Sequence, residues 1–340
     1  MKKITIKDVA REAGVSVTLV SFVMNAKRGK DGRLDCPVNP ETADRVLKVA
    51  KELGYRRNAA AASLRSGRSN TVAVITTDIS NKYFAGISRH IEDRCHQYGY
   101  TVLFGSSDEK PEKLDNIMDT VLAYNIDGVI VAPVPGGEDA IRKAVDQNVP
   151  VVLLDRDIES FTEVGKVLLD DVAAGRMATD LLLSKGFRKI EMISYTLGIS
   201  SLKEREEGYR ESMTKAGLTQ DISAHYIPYG AARETITTLI KDAVKRGVEA
   251  LFLPTYTISA SVLAAIRDLK LDIPKDLAIV AFDESDVYNL YTTTVAHIVQ
   301  PLRSLGVHAV DLLHNMIENK PCDTKIVLKP ELIPGGSVEK

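Results

Sequence analysis

The residues best suited to binding or catalysis in this 340-residue chain are polar side chains that directly follow short apolar runs. Asp78 follows TVAVITT, Asp155 and Arg156 follow VVLL, and Asp283 follows LAIVAF. In parallel-sheet proteins, ligands bind at the carboxyl ends of the strands, where such side chains collect. Carboxylates there accept hydrogen bonds from ligand hydroxyl or amine groups. Any single one is more simply a helix cap, so their recurrence is what indicates a binding site.

Sequence motifs of enzyme chemistry are missing. The chain has no GxGxxG after a strand, no Walker-type lysine loop, no HExxH and no GxSxG. The six histidines show no metal-ligand spacing, and Cys36, Cys95 and Cys322 form no CxxC pair. We therefore expect no catalysis, no metal, no cofactor and reduced thiols.

The elements that position the polar residues alternate in type from Thr71 onward. Short β-rich runs are separated by amphipathic helical stretches. The runs cover residues 71–77, 101–107, 128–133 and 151–155 in the first half, and 166–170, 189–195, 250–254 and 277–283 in the second. Strand then helix, repeated on both sides of about residue 163, predicts two doubly wound parallel-sheet lobes with a cleft between them.

The first 68 residues differ from the rest in charge. They carry 15 lysines and arginines against 7 acidic residues, which leaves 29 basic against 39 acidic side chains on residues 69–340. A small basic domain joined to a larger acidic one indicates a polyanionic partner for the smaller part. No apolar run is long enough to span a bilayer, and the N-terminus, MKKITIKDVARE, is charged where a signal peptide would be apolar. We therefore expect a cytoplasmic protein.

Two helices joined by a tight turn are predicted in the basic part. Thr5 is a favourable N-cap of the first helix, Gly14 ends it, and Ser16 caps the second. Small Ala10 allows the helices to cross closely, and Val20 packs back on the first helix. This spacing is typical of a helix-turn-helix, whose second helix enters the DNA major groove. Two core helices without further meaning are the alternative.

A third helix and a short fourth one are predicted next. Asn39 caps the third helix, Pro40 occupies its first position and Gly54 follows its end. In the following RRNAAAASLRSGRSN, Asn58 is able to cap a helix of about two turns, which is marginal alone in water. We expect this segment to order on a partner or on DNA; a plain linker is the alternative.

Three strings stand in order at the N-terminus: TIKDVAREAGVS, PETADRVLKVAKELGY and NAAAASLRSGRSN. With a match that continues through nearly the whole chain, they resemble the headpiece and hinge of the LacI/GalR (lactose-repressor) family of bacterial transcription regulators. The resemblance implies a small all-α helix-turn-helix headpiece and an α/β body of two doubly wound parallel-sheet lobes, like periplasmic binding proteins. The implied divisions are a headpiece (1–57), a hinge helix or linker (58–69) and an effector-binding and dimerisation domain (70–340), with lobe 1 at 70–162 and 296–322 and lobe 2 at 163–295 and 323–340.

The same resemblance implies a DNA-binding set. In that family the second helix reads bases, and a hinge leucine, here Leu64, wedges into the minor groove. Phe22 stands where the family often has arginine or histidine, so we expect apolar contact with a thymine methyl instead of a bidentate guanine contact. The longer connection at 26–37 either contacts phosphates or is an inert insertion. The implied residues are Thr5, Ser16, Val17, Thr18, Ser21, Phe22, Asn25, Asn58, Ala61, Leu64 and Arg65.

An effector site is implied by SNKYF (80–84), KEREEGYRESM (203–213), and AFDESD with TTTVAHIVQP (281–301), which resemble effector-site segments of the family. An arginine that faces a carboxylate suits a sugar or another hydroxylated metabolite. The implied residues are Asp78, Tyr83, Phe84, Asp155, Arg205, Tyr256 and Asp283.

Two features of the sequence depart from the family's sugar sites. Thr255 and Tyr256 stand where an Asn-Asp pair is usual, and the chain contains no tryptophan to stack on a sugar. We expect Tyr83, Tyr229 or Tyr256 to supply the ring.

The sequence therefore predicts a ligand-responsive transcription regulator, expected to be a repressor, that binds a palindromic operator as a homodimer. The tail after Pro330 shows no leucine heptads for a tetramer. The main alternative is a two-lobed solute-binding protein for sugar uptake, which the helix-turn-helix and the charged N-terminus disfavour. A doubly wound enzyme ranks third.

Overall fold

The structure is a computed structural model and describes residues 4–26, 34–55 and 67–339. The chain divides into two compact units, residues 1–69 and 70–340.

The described part of the smaller unit contains three helices, α1 (Ile6–Ala13), α2 (Val17–Asn25) and α3 (Pro40–Glu52). Their ends lie where local signals predict them. Gly14 ends α1 in the left-handed conformation, with a φ of 66°, and the Asn39 side chain accepts a hydrogen bond from the Glu41 N–H at the start of α3. The three helices share one small apolar core, formed by Val9, Ala10, Ala13, Val20, Val23, Ala43, Val46 and Ala50.

The larger unit contains two six-stranded sheets covered by helices. The first sheet has the strand order β11-β5-β4-β3-β1-β2, and the second has the order β12-β10-β9-β8-β6-β7. All pairings are parallel except the one between β10 and β12. The strands are β1 (Thr71–Thr76), β2 (Thr101–Ser106), β3 (Gly128–Val131), β4 (Val151–Leu154), β5 (Gly165–Leu169), β6 (Ile190–Tyr195), β7 (Ser223–Ile227), β8 (Ala250–Phe252), β9 (Ala278–Phe282), β10 (Ala296–Val299), β11 (Lys325–Leu328) and β12 (Glu331–Ile333).

Helices lie on both faces of each sheet. The first sheet separates two apolar clusters, and so does the second, as expected for parallel sheets that are buried on both sides. The helices are α4 (Lys82–Tyr98), α5 (Pro111–Ala123), α6 (Glu138–Asp146), α7 (Asp171–Ser184), α8 (Ser200–Lys215), α9 (Arg233–Lys245), α10 (Tyr256–Leu269), α11 (Val287–Leu290) and α12 (Leu302–Ile317).

The path of the chain between the lobes corrects the sequence-based lobe boundaries. β5 pairs with β4 in the first sheet, so the chain first crosses after Leu169 and not near residue 163. β10 belongs to the second sheet and β11 to the first, so the assignment of 296–322 to lobe 1 and 323–340 to lobe 2 is wrong at both strands. The chain crosses three times, near Asp170, between β10 and α12, and between β11 and β12.

The physical reason for this error is that the residues of a strand do not indicate which strand it pairs with, whether it is buried like β5 or partly exposed like β11. All five residues of β5 are buried, as are those of β9, and both lobes repeat the same strand-helix plan. Which sheet a strand joins is decided by pairing with distant segments, which periodicity along the chain does not encode.

Candidate functional sites

The exposed face of α2 is the candidate surface for contact in the small unit. Val20 and Val23 point into the core, whereas Val17 and Phe22 are 41% and 50% exposed and Thr18 is also exposed. Large apolar side chains that stay exposed frequently mark a contact surface. The family resemblance assigns these three side chains to base contacts, and the structure leaves all three exposed.

Two other residues of the implied DNA-binding set have a local structural role. The backbone N–H and the hydroxyl of Thr5 both donate to the Asp8 carboxylate, at 2.9 and 2.7 Å. Ser16 caps α2, and its hydroxyl oxygen accepts from the Leu19 N–H at 3.2 Å. Both residues fix the start of a helix, which orients that helix whatever else they contact.

Side-chain hydrogen bonds also hold the C-terminal end of α2. The Asn25 side-chain amide donates to the carbonyl and the hydroxyl oxygens of Ser21, at 2.6 and 3.0 Å. The hinge residues of the implied set lie outside the described residues: Asn58, Ala61, Leu64 and Arg65.

A narrow cavity of about 60 Å³ lies between the two lobes of the large unit. It is bounded at the carboxyl ends of β1, β4, β6, β8 and β9, as doubly wound sheets require. By volume it holds only a few water molecules, so the lobes stand close together. The wall consists of Thr77, Asn81, Tyr83, Phe84, Glu109, Asp155, Arg156, Tyr195, Leu197, Ile199, Ser201, Leu202, Arg205, Tyr229, Thr255, Tyr256, Thr257, Asp283 and Gln300.

Asp155 and Asp283 occupy equivalent places in the two lobes, each directly after a buried strand. Both have left-handed backbones, with φ of 71° and 64°, a conformation that costs energy for a residue other than glycine and that clusters at functional sites. The Asp283 carboxylate accepts from the Gln300 side chain at 2.7 Å and from the Tyr256 N–H at 3.1 Å. Burial raises the pKa of the Asp283 carboxyl, and the nearby Arg205 guanidinium opposes that shift.

Arg205 is buried on the lobe 2 side of the cavity and is held from three directions. Its Nε donates to Asp171 at 2.7 Å and its Nη1 to the Pro254 carbonyl at 2.7 Å. The guanidinium carbon lies 3.9 Å from the centre of the Phe282 ring. Burial raises the pKa of the Asp171 carboxyl to about 7, against the opposing effect of the Arg205 charge.

Close packing of α7 on α8 fixes the backbone that carries Arg205. A Cβ at Gly175 would overlap the carbonyl oxygen of Arg205, and one at Gly208 would overlap the carbonyl oxygen of Val172. The helices therefore touch backbone to backbone where only glycine fits. This helix crossing therefore requires the glycine of the RxxGY part of KEREEGYRESM. The Tyr209 hydroxyl of the same motif donates to the Ile190 carbonyl at 2.8 Å in the core.

Arg156 is the second buried arginine of the wall, on the lobe 1 side. Its Nη1 and Nη2 donate to the two carboxylate oxygens of Glu109, at 2.8 and 2.6 Å, and Nη1 also reaches the Pro133 carbonyl at 3.0 Å. Both side chains of this bidentate pair are 7% exposed. Such a fork-to-fork pair is a strong, geometrically specific interaction.

Aromatic rings line the cavity from both lobes. Tyr83 and Phe84 of lobe 1 meet edge to face with centroids 4.9 Å apart, and Tyr195 and Tyr229 of lobe 2 do the same at 5.3 Å. Burial raises the pKa of the Tyr83 hydroxyl well above its ordinary value, and the charge of Asp155 adds to the effect. The hydroxyl is thus a neutral donor at any physiological pH.

Six of the seven residues of the implied effector set border the cavity, and Asp78 does not. Its carboxylate instead accepts from Ser80 at 2.8 Å and from the Tyr229 hydroxyl of lobe 2 at 3.2 Å. Sequence reasoning missed Glu109, Asp171, Tyr195 and Gln300. The only local signal for Asp171 is its position beside Asp170, because one carboxylate caps α7 and leaves the other to point inward.

Metal-ligand clusters and membrane-spanning helices are both absent from residues 4–26, 34–55 and 67–339. No group of three or more His, Cys, Asp or Glu side chains there has the arrangement of a metal site. No helix there has both the length and the apolarity to cross a membrane.

Comparison with known proteins identifies both units. Residues 5–58 match the model of bacterial regulatory proteins of the lacI family, and residues 72–321 match a periplasmic binding protein domain. Catabolite control protein A of Priestia megaterium is 32% identical over 337 residues and covers 97% of both chains. The ribose operon repressor of Halalkalibacterium halodurans is 30% identical and covers 94% of this chain and 92% of its own.

The fold is similarly matched by solved structures. A LacI family transcriptional regulator from Silicibacter pomeroyi is 26% identical, with a TM-score of 0.80 over 99% of this chain and 100% of its own. These relatives are regulators and not enzymes. The chain belongs to the LacI family and is a DNA-binding transcription regulator with a periplasmic-binding-protein-like body.

Proposed function

We propose that this regulator represses transcription from a palindromic operator, as a cytoplasmic homodimer, and that a small polyhydroxylated effector in the interlobe cavity controls it. One observation carries the effector part. Arg156 Nε and Gln300 Oε1 are buried in the cavity wall and make no hydrogen bond to any described residue. Unsatisfied buried polar atoms are costly, and ligand hydroxyls would satisfy donors and acceptors alike.

The name of the ribose operon repressor supports a sugar as the effector. Aromatic walls with charged groups between them suit a sugar, whose ring faces are apolar and whose edges are polar. Closure of the lobes on such a ligand would alter operator affinity only if the ligand distinguishes two lobe arrangements.

Val17, Thr18 and Phe22 support operator reading by α2. With Phe22 half exposed, an apolar contact with a thymine methyl is available where an arginine would bind guanine. A single headpiece buries little surface, so two heads about 34 Å apart on a palindrome supply the affinity.

Operator binding is tested by salt titration. Because basic side chains of residues 1–69 neutralise phosphates, log affinity should fall linearly with log salt, by about 0.9 per phosphate neutralised. Phe22→Ala should weaken operator binding and leave non-specific binding unchanged. Deletion of residues 1–69 should abolish DNA binding and leave a folded dimeric body. Affinity that does not change with salt, or a monomeric body, would contradict the proposal.

The effector site is tested by operator affinity with and without neutral monosaccharides. Arg205→Ala and the isosteric Asp283→Asn should lose the response and retain operator binding in the ligand-free state. Asn tolerates a positive φ, so Asp283→Asn separates the lost charge from lost folding. A full response in both variants would place the site elsewhere.

A further inference from the structure

The charged groups around the cavity carry no excess of positive charge. Three carboxylates and two guanidinium groups border it. Asp171, which holds Arg205 from behind at 2.7 Å, adds a fourth carboxylate. Burial raises the pKa of Asp171, to about 7, and of Asp283. Even with both protonated, Glu109 and Asp155 balance the two guanidinium groups, so the described wall has no net positive charge.

Neither arginine is available as a free cation. Glu109 fills both outer nitrogens of Arg156. Arg205 Nε donates a hydrogen bond to Asp171. The charges of Asp155 and Asp283 also lie close enough to raise the pKa of the Arg205 guanidinium. The charge of Arg205 is thus already compensated by the surrounding carboxylates.

The groups that remain open suit a donor-rich ligand. The Asp155 carboxylate lies beside the Tyr83 hydroxyl and makes a loose contact with Arg156 Nε, at 3.5 Å. Gln300 Oε1 has no hydrogen-bond partner among the described residues. A hydroxyl or an amine satisfies these groups, whereas a phosphate or carboxylate brings a charge that nothing in the wall balances, at the full cost of its desolvation.

We propose that the cleft takes an uncharged or amine-bearing polyhydroxylated molecule and excludes phosphorylated and acidic ones, with Glu109 as the residue that withholds Arg156 from anions. The inference rests on the proposed function, since it assumes that the cleft is the effector site. It assigns Glu109 a role in specificity, beyond stabilising a loop.

The first experiment uses ligands that share a ring and differ in charge. Calorimetric titration of the full-length protein compares D-ribose with D-ribose 5-phosphate, and D-glucose with D-glucosamine, D-glucose 6-phosphate and D-glucuronate. Each anion should bind at least about tenfold more weakly than its neutral parent, and glucosamine no more weakly than glucose. An anion that binds as tightly as its parent overturns the inference.

The second experiment isolates Glu109 with sulfate, which carries the charge without the ring. In wild type, sulfate should shift the unfolding midpoint no more than sodium chloride of equal ionic strength does. Glu109→Ala vacates the carboxylate position at Arg156, so sulfate should bind this variant at least about tenfold more tightly than wild type. The double variant Glu109→Ala with Arg156→Gln should lose that gain, and it removes the unpaired buried charge if the single variant folds poorly.

Glu163→Ala is the matched control. Glu163 pairs with Arg142 in the same lobe, but both side chains are 40% exposed and neither borders the cavity, so no sulfate site should appear. Wild type that already binds sulfate, or a Glu109→Ala variant that gains nothing, overturns the role of Glu109.

The two experiments separate this inference from the proposed function. If no sugar binds while Glu109→Ala gains sulfate binding, the charge assignment stands and the polyhydroxylated effector is wrong. If neutral sugars and their phosphates bind alike, the effector site stands and the charge assignment is wrong.

Discussion

The two lobes use the same plan at the cleft but hold their arginines in different ways. In lobe 1, Arg156 lies on the loop after β4 and is held by Glu109, which lies on the loop after β2. In lobe 2, Arg205 lies on a helix and is held by Asp171 of the helix that crosses it. In lobe 1 the two loops are joined by a bidentate ion pair. In lobe 2 the ion pair is supported by backbone contact between the two helices and by the Phe282 ring against Arg205. The comparison indicates that packing presets the lobe 2 half of the site, while charge pairing sets the lobe 1 half.

The same contrast is visible in the helix pairs behind each site. The α7 and α8 backbones of lobe 2 come so close that a Cβ at Gly208 would overlap a carbonyl oxygen. The corresponding contact of α4 with α12 in lobe 1 is looser, since a Cβ at Gly306 would lie 3.0 Å from the His90 Cβ and 3.1 Å from the Ile87 carbonyl oxygen. The α7–α8 crossing of lobe 2 thus tolerates an added side chain less well than the α4–α12 contact of lobe 1.

The largest effect should follow removal of the lobe 2 arginine. Arg205→Ala leaves Asp171 buried without its partner, which costs about 3–5 kcal/mol in the free energy of unfolding. Burial already raises the pKa of Asp171 to about 7 beside Arg205, so without the guanidinium the folded state binds the proton more tightly still. Because the folded state then holds a proton that the unfolded state releases near pH 4, stability should fall as pH rises from about 4 towards 8.

Urea titrations of wild type and Arg205→Ala at pH 5, 6, 7 and 8 measure this dependence. The variant should lose stability with pH more steeply than wild type, and the double variant Arg205→Ala with Asp171→Asn should flatten the curve. Parallel curves for wild type and single variant would show that Asp171 is not controlled by Arg205.

An intermediate effect should come from the helix crossings. Gly208→Ala forces the α7 and α8 backbones apart and should cost about 3 kcal/mol, at the upper end of overpacking effects. Gly306→Ala, whose contacts lie at 3.0 Å or beyond, should cost about 1 kcal/mol. Chemical denaturation of both variants measures the loss in the free energy of unfolding in each lobe. Equal losses would contradict the view that the lobe 2 half of the site is set by tighter packing than the lobe 1 half.

Sequence-based prediction succeeded where the signal is local. The caps Ser16 and Asn39 and the stop at Gly14 each depend on neighbours within a few residues, and the structure has all three. The first four strands of the body and the carboxylates after β4 and β9 were also predicted, because buried runs and strand-end polar residues are local patterns.

The failures are all long-range. Glu109 reads as a solvated turn residue, because its partner Arg156 lies 47 positions away. Asp171 reads as a second cap beside Asp170, because the helix with Arg205 lies 34 positions on. The exchange of β5, β10 and β11 between the lobes has the same origin, since pairing across sheets leaves no period in the sequence.

The smallest effect should come from the contact that joins the lobes through Tyr229. Its hydroxyl donates to Asp78 of lobe 1 at 3.2 Å, and 37% of the residue is exposed, so Tyr229→Phe should cost only about 0.5–1 kcal/mol. Because this bond exists only when the lobes are close, its loss should shift the ligand-free body towards a more open arrangement by about two- to fivefold, seen as a larger radius of gyration in small-angle X-ray scattering. Tyr226→Phe is the control, since the Tyr226 hydroxyl donates to Glu206 within lobe 2 and its removal leaves the lobe separation unchanged. If both variants scatter like wild type, other contacts across the cleft, such as the Lys82–Asp286 ion pair at 2.9 Å, keep the lobes close and this bond does not.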